Sequence, residues 1–132
     1  MSITGNCSLN ISSTNLDFDL LGKLNLTPTS VVRKGDFLTS KRKALYDVWI
    51  FEIQITNTCP LNKALESIAG HLSNVSHELS SLKSRYDVSL NCYLRSDYAQ
   101  MGIDIAPEIL KSIAELELGL QIHILSFGGV DS

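Results

Sequence analysis

No stretch of the 132 residues approaches the roughly 20 consecutive apolar side chains that a membrane-spanning helix needs. The opening Met1-Ser2-Ile3-Thr4-Gly5 lacks both the basic and the apolar region of a secretory signal peptide. Cysteine is scarce: Cys7, Cys59 and Cys92 are odd in number and form no CxxC pair, which argues against a disulfide framework. A cytoplasmic chain with free thiols is therefore expected, where the sequons at Asn6, Asn10 and Asn74 carry no meaning. There is no internal repeat and no low-complexity segment. With 44% apolar and 19% charged residues, the composition excludes a disordered chain. A length of 132 suits one domain, residues 1–132, and allows a core that needs no metal or disulfide to hold it.

The net charge of −3 is unevenly spread. Residues 1–43 carry six basic against three acidic groups, and residues 44–96 carry four against five. Residues 97–132 hold Lys111 alone against Asp97, Asp104, Glu108, Glu115, Glu117 and Asp131. Such a gradient steers a charged partner but does not specify a fold.

What the sequence does contain is a long apolar stripe, Leu61, Leu65, Ile68, Leu72, Val75, Leu79 and Leu82. Its steps of four and three put every member on one side of a helix. Pro60 suits the first turn, where its missing N–H has no intrahelical partner. A helix from Pro60 to Arg85 would run about 39 Å at 1.5 Å per residue. That outruns a typical strand, so a bend or break is expected near Ser73-Asn74. Upstream, Cys7, Leu9 and Ile11 alternate with polar residues in a short strand. Thr14 or Asn15 is the expected cap of a helix that buries Leu16, Leu20, Leu21 and Leu24, with Asp17 and Asp19 near its positive end. A long loop, 27–43, follows, with a possible extended piece at Val31-Val32; connections of that length are often functional. Tyr46 to Thr56 reads as a strand with Trp49, Phe51, Ile53 and Ile55 on one face.

After the long helix, Val88, Leu90, Cys92 and Leu94 alternate with Ser89, Asn91, Tyr93 and Arg95. A hairpin through Ser96-Asp97 is expected to lead to a strand holding Met101, Ile103 and Ile105. Pro107 opens a second helix, Gly119 is its expected C-cap, and Leu120, Ile122 and Ile124 form the last strand. The ordered chain is expected to end at Gly128-Gly129, leaving 128–132 as a flexible tail. The expected fold is α+β: a ferredoxin-like β-α-β-β-α-β sandwich from Trp49 onward, with both helices on one sheet face. The N-terminal strand and helix would extend or flank that unit.

Leu24-Asn25-Leu26-Thr27-Pro28-Thr29, then Arg33-Lys34-Gly35-Asp36, then Trp49, resembles the opening of a bacterial family, domain of unknown function 4279 (DUF4279). In that family, too, a short helix leads to a Leu-x-Leu-x-Pro-Thr step, a Lys-Gly-Asp-like turn and a Trp-bearing strand. The likeness covers nearly the whole chain. It implies the fold and carries no catalytic residue with it.

Chemical motifs are few. His71 and His77 are six apart and do not share a helical face, and no HExxH or paired-Cys motif exists, so no metal is expected. Cys59 before a helix start reads as a small residue at a cap rather than a nucleophile, while Cys7 and Cys92 fall on inward faces. Arg33-Lys34-Gly35-Asp36 is not a phosphate-binding loop, and there is no GxSxG, paired-carboxylate arrangement or nucleotide fingerprint. No cofactor and no enzyme activity are expected. An RNA-recognition domain would share the element order but needs aromatics on the open sheet face, where only Tyr93 stands. Lys41-Arg42-Lys43 with Arg33 and Lys34 reads as a solvated loop, with neither nucleic acid nor membrane as partner.

There remains the sheet face away from the helices, which alternation furnishes with Ile50, Glu52, Gln54, Asn91, Tyr93, Arg95, Gln121, His123 and Leu125. Aromatic and aliphatic anchors among polar groups are the make-up of a protein interface. The expected function is a protein-binding module, specifically an immunity protein that neutralises a cognate toxin. Its acidic surface would occupy the basic cleft of a nuclease. The expected partner-binding residues are Glu52, Tyr93, Asp97, Asp104, Glu108, Glu115, Glu117 and His123. The alternative is a small-molecule-sensing regulatory domain acting as a homodimer. Monomer and homodimer both remain open. A third reading, an enzyme, would need His123, Tyr93 and an acid at hydrogen-bonding distance.

Overall fold

The computed structural model of the chain describes residues 3–96 and 102–126. Five strands and four α-helices follow one another along the described residues. They are β1 (Thr4–Ser13), α1 (Phe18–Leu21), β2 (Ser30–Val32), β3 (Asp47–Ile55), α2 (Leu61–Ser73), α3 (Ser76–Lys83), β4 (Asp87–Ser96), α4 (Pro107–Glu115) and β5 (Leu120–Ser126). The strands form one mixed sheet in the order β2-β3-β1-β4-β5, antiparallel throughout except for the parallel pair β4/β5. The protein is thus α+β.

The N-terminal strand does not flank the sheet as expected; it is its centre. β1 pairs along its length with β3 on one side and β4 on the other, so Leu9 stands opposite both Phe51 and Leu90. Cys7, Leu9 and Ile11 are wholly buried there, as a strand with two neighbours and a helix layer above it requires. The Cys7 and Cys92 sulfurs, in directly opposed positions, lie 3.4 Å apart as free thiols. Their mutual hydrogen bond and burial hold the Cys7 thiol far above its ordinary pKa, so it is unreactive core.

The apolar stripe behaves as its spacing predicts. Leu65, Ile68, Leu72, Leu79 and Leu82 are buried against the sheet, and the helix breaks at Ser73 to restart at Ser76. α2 packs on β1 and β3, α3 on β4, and α4 on α2, which places the helices on one side. Two helix ends differ from expectation. Asp17, not Thr14 or Asn15, caps α1, its carboxylate accepting from the N–H groups of Asp19 and Leu20. α4 closes at Leu116, with Glu117 at φ 56° taking the left-handed position two residues before Gly119.

The strand expected at Met101–Ile105 is not formed over its described residues, 102–105; Met101 and the connecting Asp97 lie outside them. The reason is the sheet itself. β4 already has β1 on one edge and β5 on the other, so no edge is open to a further hairpin strand. Ile103 and Ile105 pack against the core from a coil instead, held by Asn62 at the start of α2. The Asn62 side chain donates to the Asp104 carbonyl (2.7 Å) and accepts from the Ala106 N–H (2.9 Å). The observed order from β3 onward is therefore β-α-α-β-α-β. The expected tail, 128–132, also lies outside the described residues.

The 27–43 segment is more ordered than a loop. The extended piece at Val31-Val32 is β2, paired to β3. Beyond it, Phe37 bridges Lys43 in a small hairpin. Its root is fixed by Asp47, a buried carboxylate that accepts from the N–H groups of Lys34 (2.7 Å) and Leu16 (2.9 Å). Those two bonds, to Lys34 first, lower its pKa below the ordinary carboxylate value.

Candidate functional site

With the helices on one side, the alternate side chains of the strands form an open face. β1 contributes Asn6, Ser8 and Asn10 to its middle, β3 adds Glu52 and Gln54, β4 adds Asn91, Tyr93 and Arg95, and β5 adds Gln121 and His123. The parallel register of β4 and β5 sets Tyr93 beside His123. Their rings stack with centroids 4.6 Å apart and planes within 10°. The His123 Nε2 lies 3.1 Å from Asn91 Oδ1. An amide oxygen only accepts, so Nε2 carries the proton and Nδ1 is left as an acceptor when the ring is neutral. The Asn91 amide in turn donates to the Ser89 hydroxyl at 3.0 Å. A relay from Ser89 through Asn91 thus fixes the imidazole against which Tyr93 stacks.

Tyr93 and Arg95 form the wall between two shallow clefts of about 230 Å³ each. One continues over His123 and Leu125, the other over Thr4, Asn6 and Gln54. Beneath this surface, Ser8 and Asn91 are almost fully buried although they face outward, because neighbouring strands crowd them. Ser8 Oγ and Asn10 Oδ1 are buried without a hydrogen-bond partner. Leaving buried polar groups unmet is costly, so these two atoms are a local weak point in the centre of the sheet.

The structure divides the expected partner-binding residues between two surfaces. Glu52, Tyr93 and His123 share the open face, with Glu52 separated from the aromatic pair by β1. The Glu52 carboxylate accepts from the Gln54 amide at 3.5 Å, and its backbone N–H donates to Thr29 Oγ1 at 2.8 Å. Asp104, Glu108, Glu115 and Glu117 lie on or beside α4, in the helix layer. Glu108 sits in the first turn of α4, where the helix dipole favours it. Glu117 pairs weakly with Lys83 at 3.9 Å, while the same ammonium donates to the carbonyls of Leu116 and Glu117. Asp97 lies outside the described residues.

His123 hydrogen-bonds the Asn91 amide. Among the described residues no three metal-ligating side chains converge, and His71 and His77 stand exposed on α2 and α3. The central row Asn6, Ser8 and Asn10 went unassigned in the sequence because its strand was placed at the margin. The signal was present in the strict polar–apolar alternation from Asn6 to Ser12.

The segments that resemble DUF4279 meet around β2. Leu24 and Trp49 are core, the Thr29 N–H bonds the Ile50 carbonyl at 2.7 Å, and Asp36 accepts from the Arg33 N–H at 2.8 Å. The family model described as domain of unknown function (DUF4279) matches residues 2–127 of the 132. The chain belongs to this family. No curated protein and no solved structure matches it. In this DUF4279 chain the resembling segments build the frame around β2, and Tyr93, His123 and Asn91 lie on strands three and four positions from it in the sheet. Among the described residues no helix is long and apolar enough to cross a membrane.

Proposed function

We propose that this DUF4279 chain is a non-enzymatic protein-binding module of the cytoplasm, an immunity protein that neutralises a toxin by occupying it. The observation that carries this reading is the Tyr93–His123 stack held by Asn91 on an open sheet face. The immobilised rings lose little freedom on binding, which is what raises affinity at fixed contact area. Around them Asn6, Asn10, Gln54 and Gln121 supply adaptable hydrogen bonds, the mixture of Tyr with Asn and Ser typical of binding surfaces. The acidic α4 flank supports a basic partner, because complementary fields speed association. Within the α+β class, the β3-α2-α3-β4 unit wrapped around β1 supports a ferredoxin-like relationship.

The test is co-expression with each protein encoded beside this chain. Relief of growth arrest and a stoichiometric complex are expected. Both should be lost in the Tyr93→Ala/His123→Ala variant, which should still fold by Trp49 fluorescence although the orphaned Asn91 Oδ1 lowers its thermal midpoint by several degrees. Rescue that survives this variant, or neighbours that are all harmless, would sink the reading. A second reading, a homodimer sensing a small molecule, draws on β5, an edge strand without a charged residue. Its two clefts are below the usual volume of a ligand pocket, so it requires a dimer to enclose them. Sedimentation of a monomer at high concentration would remove it.

A further inference from the structure

Residues 33–46 combine two properties that soluble surfaces keep apart. Arg33, Lys34, Lys41, Arg42 and Lys43 stand against Asp36 alone, in a chain whose other residues sum to −7. In the same segment Phe37, Leu38, Leu45 and Tyr46 are 68, 55, 72 and 53% exposed. This is no slack loop exposing apolar groups by default. The Gly35 N–H donates to the Ala44 carbonyl, Ala44 to Asp36 and Leu38 to Arg42, at 2.7–2.9 Å. Thr39 Oγ1 accepts from the Lys41 and Arg42 N–H groups at the tip, and Asp47 anchors the root. Asp36, the one acid, is engaged by the Arg33 N–H. An ordered element that holds four large apolar side chains in water marks a contact surface.

The arrangement also selects the occupant. Leu38, Leu45 and Tyr46 converge with Arg42 and Lys43 about one open cleft, so apolar surface and cations face the same way. A protein partner would have to interleave acids with apolar groups, and interface cores are depleted of charge. Nucleic acid offers phosphates but no apolar phase for leucines. An anionic bilayer interface answers both at once, with apolar groups below the headgroups and lysine and arginine heads among the phosphates. Lys43, with its ammonium 5.1 Å from the Phe37 ring centroid, already has that disposition of charge over an apolar base. We propose that the 33–46 hairpin docks the protein on an anionic lipid surface. This departs from the sequence expectation of a solvated loop with no membrane contact, and it is independent of the Tyr93–His123 stack, which lies beyond β1 on β4 and β5.

The test is co-sedimentation with vesicles of phosphatidylcholine alone and of phosphatidylcholine with phosphatidylglycerol. Partition into the anionic vesicles alone is expected, lost as salt rises to about 1 M, where charges are screened beyond about 3 Å. Lys41→Gln/Arg42→Gln/Lys43→Gln should weaken it about 100-fold, roughly five-fold per charge. Phe37→Ser/Leu45→Ser should weaken it by a similar factor. All five side chains are exposed, so Trp49 fluorescence should report an unchanged fold. No partition at low salt overturns the proposal, including where the hairpin binds an acidic protein instead. Partition that needs the cations but not Phe37 and Leu45 overturns it as well, since the hairpin would then be a general polyanion site.

Discussion

Gly5 is where the sheet tolerates least. It lies on β1 opposite Leu94 of β4, at φ +140°, a conformation that L side chains rarely adopt. A Cβ at this position would stand 1.7 Å from the Tyr93 carbonyl oxygen, far inside the 3.0 Å below which real Cβ contacts essentially never fall. The obstacle is backbone, so no rotamer change relieves it. In Gly5→Ala the two strands must part, or β1 must turn. Strain at a glycine-only φ costs about 1–3 kcal/mol, and two broken ladder hydrogen bonds cost about 1 kcal/mol each. Together these remove about 3–5 kcal/mol from a stability that for such domains is about 5–15 kcal/mol.

Urea unfolding followed by Trp49 fluorescence is a clean assay, because this is the sole tryptophan and it is 3% exposed. With a slope of about 2 kcal/mol per molar for a chain of this size, the midpoint should fall by about 2 M. The same variant should shift the His123 ring resonances, because the displaced carbonyl belongs to Tyr93, on which that imidazole stacks. A midpoint lowered by less than about 0.3 M, with His123 undisturbed, would refute the assigned β1–β4 geometry.

Gly70 provides the opposite sign. It is exposed inside α2 with nothing within 4 Å of a Cβ, so Gly70→Ala should add about 1 kcal/mol and raise the thermal midpoint by about 3 °C. Asp47→Asn should cost about 1–3 kcal/mol at neutral pH, because one of its two charge-assisted backbone bonds is lost. The Asp47 carboxyl has a lowered folded pKa, so its contribution is complete above the unfolded value of about 3.9 and is lost as pH falls through the folded one. Denaturation across an acid series should therefore show the gap to Asp47→Asn shrinking only below about pH 4. Asn62→Ala releases the Asp104 carbonyl and the Ala106 N–H; hydrogen exchange should speed up at Ala106 while the β1 amides stay protected.

The helix stripe was fully legible in the sequence because its information is local. A residue's place on a 3.6-residue period follows from its number alone, so Leu65, Ile68, Leu72, Leu79 and Leu82 could fall nowhere but inward. Alternation told as much about each strand's two faces, and it placed Tyr93 and His123 together on the open one. It said nothing about neighbours. A period of two fixes which way a side chain points, not which strand lies beside it. Hence the row Asn6, Ser8 and Asn10 is read at the margin when it lies at the centre, and Ile103 and Ile105 are given a strand beside β4, both of whose edges are taken by β1 and β5. Ile122 and Ile124 make the same point. They alternate as core residues should, yet are 38 and 51% exposed, because β5 is an edge strand and α4 packs on α2.

By itself, then, the sequence determined the class of fold, the buried side of the long helices and the break between them, and the polar character of one sheet face. Each of these depends on spacing within about ten residues. Only the tertiary structure decided that β1 runs between β3 and β4 and that His123 stacks on Tyr93 under the hold of Asn91. Those features arise from pairings between residues some 30 to 85 positions apart, such as Leu16 with Asp47 and Cys7 with Cys92. Such pairings are chosen by the free energy of the whole packed sheet, which no local pattern contains.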